Sequence, residues 1–272
     1  MQAPFNLSIV GTTGSGKTHN TAKLFTCFSN NTIPLSHRFN DTTGHRQGDP
    51  FAFEQVHYIG LNSDTSMDMD HNTNVTTLIN SGKEPGTAVT LEELAALNHL
   101  EADKQYGLIK KGPRPASLIP DYIKEHAKPG VCFIIDDMSS FFDDLDEKAR
   151  TKLKALFNIG SHHGGLSLVF IYQTVPLNVT GKQLLQASHY FMFPVPPAHM
   201  GAGGVLVQDF RTIGMLVSGF NKQLLQEFNN KQNSTPSPSF ILYNKARLVD
   251  DKDLMTGDSS QNDESRRQNK RK

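Results

Sequence analysis

Phe5-Asn-Leu-Ser-Ile-Val-Gly11-Thr-Thr-Gly-Ser-Gly16-Lys17-Thr18-His-Asn-Thr-Ala-Lys23 is the stretch whose reading decides the fold. Leu7, Ile9 and Val10 form a β-prone apolar run of the kind that makes a buried parallel strand. The residues that follow fit G-x-x-x-x-G-K-[ST] at every fixed position: Gly11, Gly16, Lys17 and Thr18. Glycines at 11, 14 and 16 permit unusual dihedrals and clear side chains away, so that backbone N–H groups can approach polyphosphate oxygens closely. A helix starting near Lys17 adds its positive end. The expected nucleotide contacts are therefore Gly11, Thr12, Thr13, Gly14, Ser15, Gly16, Lys17, Thr18 and His19. Lys17 reaches the β- and γ-phosphates of ATP, and the Thr18 hydroxyl binds Mg²⁺.

A second anchor lies at Gly130-Val-Cys-Phe-Ile-Ile-Asp136-Asp137, five apolar residues ending in two acids. This describes a fully buried strand whose carboxyl end opens into a site, where ligands sit in open α/β sheets. Asp136 is expected to hold Mg²⁺, directly or through water, and Asp137 to act as general base on the attacking water. A third buried strand, Leu166 to Tyr172, ends in Gln173, a polar group placed to orient water or sense the γ-phosphate.

The chain has 272 residues, enough for one large α/β domain with a tail. Lys and Arg total 27, as do Asp and Glu, so any nucleic-acid-binding surface must be local. Cys27 and Cys132 lie in apolar segments without C-x-x-C spacing, which reads as buried thiols in a reducing compartment. The N-terminus carries no export pattern and no run approaches the length of a membrane span, so the expectation is a soluble intracellular protein that is not secreted.

Between the anchors, helical spacing runs from Thr21 to Phe28, and Gln55 to Leu61 reads as a strand. Asn62 to Gly86 has loop composition. Leu91 to Leu100 reads as a helix with Thr90 as N-cap, and Leu118 to Ala127 as another. Lys110-Lys111-Gly-Pro-Arg114 is a basic loop, either solvated or facing DNA. Leu145 to Ile159 reads as a helix and Ala187 to Phe193 as a strand, followed by a Pro- and Gly-rich connection over 194–204. His162-His163 reads as part of a turn, because no further metal ligands stand at workable spacing. Helical patterns return at Val205 to Ile213 and Asn221 to Phe228, before a last strand at Ser239 to Tyr243. Residues 1–249 make one domain with a loop-rich insert over about 62–128, and 250–272 make a disordered basic tail ending Lys270-Arg-Lys272.

The order of these parts, with Gly160-Ser-His-His-Gly-Gly and Ser188-His-Tyr-Phe-Met-Phe193, resembles the genome-packaging ATPases of the poxvirus type, within the FtsK and HerA superfamily of P-loop NTPases. The resemblance covers roughly residues 5 to 245. It implies a RecA-like α/β fold, a mainly parallel sheet sandwiched by helices, with an additional strand between the phosphate-loop strand and the acidic strand. It also implies a homo-oligomeric ring that threads double-stranded DNA into a viral capsid, meeting capsid vertex proteins. Such a protein would work in the host cytoplasm or nucleus and could accompany the virion. Many members carry an arginine where this chain has Ser161. Arg114, Arg150 and Arg211 are the alternatives for the arginine that completes a neighbour's site, with Arg211 the first choice.

Three functions follow for comparison: a Mg²⁺-dependent ATPase that translocates DNA, a nucleoside or nucleotide kinase, and a nucleotide-gated assembly protein with little turnover. The acidic pair followed by Gln173 suits activation of water. A kinase needs an arginine-bearing lid to exclude water, and residues 29–54 offer only Arg38 and Arg46.

Overall fold

The computed structural model describes residues 4–29, 53–60, 69–96, 115–137, 145–160, 164–176, 178–196, 207–216, 239–244 and 247–250, with single positions 226, 230 and 233. In chain order these form β1 (Asn6–Val10), α1 (Lys17–Ser29), β2 (Gln55–Gly60), α2 (Met69–Ile79), β3 (Thr87–Thr90), α3 (Ile119–His126), β4 (Val131–Ile135), α4 (Glu147–Ala155), β5 (Ser167–Tyr172), α5 (Val179–Ala187), β6 (Tyr190–Val195), α6 (Val207–Leu216), β7 (Ser239–Asn244) and β8 (Arg247–Asp250).

The strands make one eight-stranded sheet in the order β3-β2-β4-β5-β1-β6-β7-β8. The first six are parallel, and β7 and β8 join antiparallel at the far edge. Strands β1, β4 and β5 are buried at every position, as expected where helices cover both faces of a parallel sheet. Alternation then sorts the side chains. Val131, Phe133 and Ile135 pack with Leu168, Phe170 and Tyr172 beneath Ile119 and Ile123 of α3, Leu153 of α4, Leu184 of α5 and Ile213 of α6. Cys132, Ile134, Val169 and Ile171 face the other way, against Leu24 and Phe25 of α1 and Leu78 of α2.

β5 lies between β1 and β4, so an additional strand separates the phosphate-loop strand from the acidic strand. This order, with the loop after β1, is that of a RecA-like P-loop NTPase. Cys27 and Cys132 are both buried, and burial pushes the Cys132 thiol up. Among the described residues, no helix is long and apolar enough to cross a membrane.

Four expectations are corrected. The 62–86 segment contains α2, and β3 extends the sheet from its other end. Helical period was hard to see in α2 because only Leu78 is fully buried there, while Thr73 and Thr77 back-bond to the carbonyls of Met69 and Thr73. The stretch before the fourth strand is α5, capped by Asn178, whose side chain accepts from Gly181 N at 2.7 Å. Ala187 therefore ends that helix, and β6 runs on through Pro194 and Val195. Pro194 stands opposite Phe240 of β7, past Met192, the last residue of β6 that pairs with β1. A further strand, β8, follows β7 and ends at Asp250. Thr90 does cap the next helix: Glu93 N donates to Thr90 Oγ1 and Thr90 N to Glu93 Oε2, a capping box. The basic loop at 110–114, the His162-His163 pair, the helical pattern at 221–228 and the tail beyond 250 lie outside the described elements.

One buried polar group makes a pH prediction. His57 on β2 is 3% exposed. Its Nδ1 lies 2.9 Å from the Tyr122 hydroxyl and its Nε2 3.2 Å from Gln55 Oε1. A neutral ring protonated on Nε2 satisfies both, accepting from Tyr122 and donating to Gln55. Burial, then the nearby His126 and Lys128, lower its pKa from 6.5 to about 4. The unfolded chain therefore takes a proton below pH 6.5 that the folded chain refuses until about pH 4. The contribution is complete above that window and is lost as pH falls through it, with a ceiling of about 3 kcal/mol. Urea unfolding between pH 7 and 4 should show His57→Gln losing about that much less stability than wild type; parallel losses in the two proteins would refute the account.

Candidate active site

The loop after β1 is closed by its own backbone. Gly11 N donates to Tyr172 O at 3.1 Å, tying the loop to the end of β5, and Ser15 N donates to Thr12 O at 3.1 Å. Gly14 and Gly16 stand at φ of 76° and 82°, where only glycine is unstrained. The Ser15 side chain is buried and turned toward Gly11, where an added Cβ would meet its Oγ at 2.6 Å. The hydroxyl thus points into the fold, and the part of Ser15 left for a ligand is its backbone. α1 starts at Lys17, with its first N–H groups at the loop end where an anion is stabilised.

Opposite the loop, Asp136 follows β4 and is 9% exposed. Its Oδ2 accepts from Thr18 Oγ1 at 3.1 Å and from the Tyr58 hydroxyl at 2.6 Å, and its Oδ1 accepts from Asp137 N at 2.7 Å. Asp137 has φ 57° and is the sole non-glycine at positive φ among the described residues. A backbone held in this region marks a position fixed by its surroundings.

Lys17 Nζ donates to Thr12 O at 2.9 Å, folding the side chain back over the loop. Burial lowers its pKa, against Asp136 and Asp137, which raise it. Asp137 moves the opposite way: burial raises its pKa first and Asp136 second, while Lys17 lowers it. Two carboxylates and one ammonium thus share a partly desolvated space, and the raised pKa falls on Asp137.

These groups border a cleft of about 510 Å³ lined by Thr13, Gly14, Lys17, Thr18, Asp136, Asp137 and Gln173, with Tyr58, His71 and Glu93 among its further walls. The volume suits a small-molecule ligand. The structure therefore joins the three sequence anchors at the carboxyl ends of β1, β4 and β5. His19 is exposed on α1 and is not among the described lining residues. Arg211 is exposed on α6, likewise away from the described lining. Its neighbour Asp209 is buried and accepts from Val175 N at 3.2 Å, two residues after Gln173. Arg150 is half-buried on α4, and Arg114 lies outside the described residues.

Tyr58 was missed by sequence reasoning. Within Gln55–Gly60 it looks like a core aromatic, and only the register, Tyr58 opposite Ile134, brings its phenol to Asp136. His71 was missed with α2.

No family model matches the chain, and no curated protein matches it. Among solved structures, the DNA-packaging ATPase of Sulfolobus Turreted Icosahedral Virus is similar over 92% of this chain and 97% of its own, at 14% identity and a TM-score of 0.46. The pCW3 conjugation coupling protein TcpA, in a monomer form with ATPgS, is similar over 91% of this chain at 14% identity and a TM-score of 0.41, and this chain spans 59% of it. The N-terminal domain of zonular occludens toxin from Neisseria meningitidis is similar over 70% of this chain and 76% of its own, at 14% identity and a TM-score of 0.36. At these values the class, a RecA-like P-loop NTPase, is set by this chain's own strand order and loop.

Proposed function

We propose that this protein is a Mg²⁺-dependent ATPase that converts hydrolysis into translocation of double-stranded DNA, and that its task is packaging a viral genome. The observation that carries the ATPase reading is the convergence of Lys17, Thr18, Asp136, Asp137 and Gln173 on one cleft. In this reading Lys17 leaves the Thr12 carbonyl for the β- and γ-phosphates, the loop N–H groups hold the phosphate oxygens, and Asp137 accepts the proton of the attacking water. A carboxylate whose pKa is raised by burial and a like charge is a better base near neutral pH than an ordinary one. Gln173 orients the same water.

The oxygen donors available to Mg²⁺ are the Thr18 hydroxyl and the Asp136 carboxylate, a set that suits an ion held jointly by protein, phosphate and water. When bound, it would offset charge on the phosphate oxygens. The translocase reading draws on the sequence resemblance, on the order of parts that runs from the phosphate loop to Phe193. It brings with it a homo-oligomeric ring, an arginine from a neighbouring subunit with Arg211 first choice, contact with capsid vertex proteins and an intracellular place of action.

Phosphate release measured with and without double-stranded DNA tests the proposal. The expected result is hydrolysis that requires Mg²⁺ and rises severalfold with DNA, on the scale of a coupling free energy of about 1–3 kcal/mol. Phosphate transfer to a nucleoside would instead make the protein a kinase. Tight ATP binding without release would make it an assembly switch.

A further inference from the structure

A carboxylate offers about four acceptor positions, and those of Asp136 can be followed one by one among the described residues. Thr18 Oγ1 and the Tyr58 hydroxyl take two on Oδ2, and Asp137 N takes one on Oδ1. One position on Oδ1 is left. The Tyr58 bond is the shortest of the three side-chain and backbone contacts, at 2.6 Å, and it comes from a separate strand. Tyr58 itself is buried at 5% exposure, stands on β2 next to β4, and meets the edge of His71 from α2 at a ring distance of 6.2 Å. The phenol is therefore held from two sides, by its bond to Asp136 and by the edge of the His71 ring.

We propose that Tyr58 is a positioning residue for the metal site: by occupying Oδ2 it fixes the plane of the Asp136 carboxylate, so that the remaining Oδ1 position alone serves the ion or its water. This rests on the reading of Asp136 as the metal-side acid. A partner that orients a ligand in this way changes metal affinity without touching the nucleotide, since neither the loop N–H groups nor Lys17 depends on it. Without Tyr58 the carboxylate would keep Thr18 on Oδ2 and its own neighbour's N–H on Oδ1, and would lose the shortest bond, the one that comes from β2.

The test uses the full chain and Tyr58→Phe, which keeps the ring and its packing. Mn²⁺ is titrated by electron paramagnetic resonance into each protein saturated with ATPγS, and ATPγS is titrated separately in EDTA. Expected for Tyr58→Phe is a loss of about 10- to 100-fold in Mn²⁺ affinity, with metal-free ATPγS affinity within about twofold of wild type. Equal Mn²⁺ affinities in the two proteins would overturn the role of Tyr58. So would a parallel loss of metal and metal-free nucleotide binding, because a merely structural phenol would produce it. A wild-type chain that binds ATPγS but holds no Mn²⁺ would overturn the metal reading of Asp136 itself, so the two failures are distinct.

Discussion

Lys17→Ala should lose ATP turnover by a factor of at least about 10²–10³, the usual scale for removing one preorganised donor to a developing charge. The loss is expected to be this large because Lys17 is, among the described residues, the one ammonium that lines the cleft beside the acid pair. The loop itself should survive. Its closure runs through Gly11 N to Tyr172 O and Ser15 N to Thr12 O, neither of which needs the lysine. Thr12 O keeps the Ser15 donor when Lys17 Nζ is gone. Stability should change little, since a desolvated ammonium is removed while Asp136 and Asp137 lose a compensating charge, two effects of opposite sign. The checks are steady-state phosphate release and a thermal melt. Near-normal hydrolysis would remove the cleft from consideration as the site, whereas a collapsed melt would show that Lys17 holds the loop together.

What could be read from sequence alone follows the physics of each segment. β4 and β5 were legible because strands buried on both faces are near-continuous apolar runs, and a polar residue at the end of such a run stands out. β1, with Asn6 and Ser8 buried in it, was legible from the phosphate-loop motif that follows. Asp136, Asp137 and Gln173 were found as the polar ends of such runs and Lys17 and Thr18 from the motif, and the sheet brings them to one cleft. Thr90 was legible as a cap because the reciprocal bond to Glu93 is local. α2 and β3 were not, because neither owns a strong pattern: α2 buries Leu78 alone, and β3 is held by pairing with β2 while its side chains stay half-exposed or exposed. α5 was hidden by Thr180 and Gly181 in its first turn. A Cβ on Gly181 would stand 2.3 Å from Pro176, which shows why glycine is needed there. Tyr58 was illegible for a different reason. Its role depends on a register 76 residues away in sequence from Ile134, and no local spacing encodes that.

Asp137→Asn should bind ATP as wild type does and hydrolyse it slower by about a hundredfold or more, the scale of a lost general base. The amide is the informative replacement because it changes charge and little else. Asn accepts the left-handed backbone about as readily as Asp, so φ 57° is kept at no added strain, and the bond from the residue 137 N–H to Asp136 Oδ1 is a backbone contribution that survives. Asp137→Ala would instead add about 1 kcal/mol or more of backbone strain and confuse the result. Stability at neutral pH should hold or rise with Asn, since the carboxylate is disfavoured there by burial and by Asp136, the causes that raise its pKa from 3.8. The same shift predicts the pH profile. A base must be ionised to act, so wild-type turnover should fall on acidification through an apparent pKa above 3.8. That limb should vanish from the residual activity of Asp137→Asn, leaving a flat acid side down to the pH where the fold fails. If the variant loses Mg²⁺-dependent ATP binding instead, Asp137 is the metal-side acid and Asp136 the base, and the hydrogen bond from Tyr58 then orients a base.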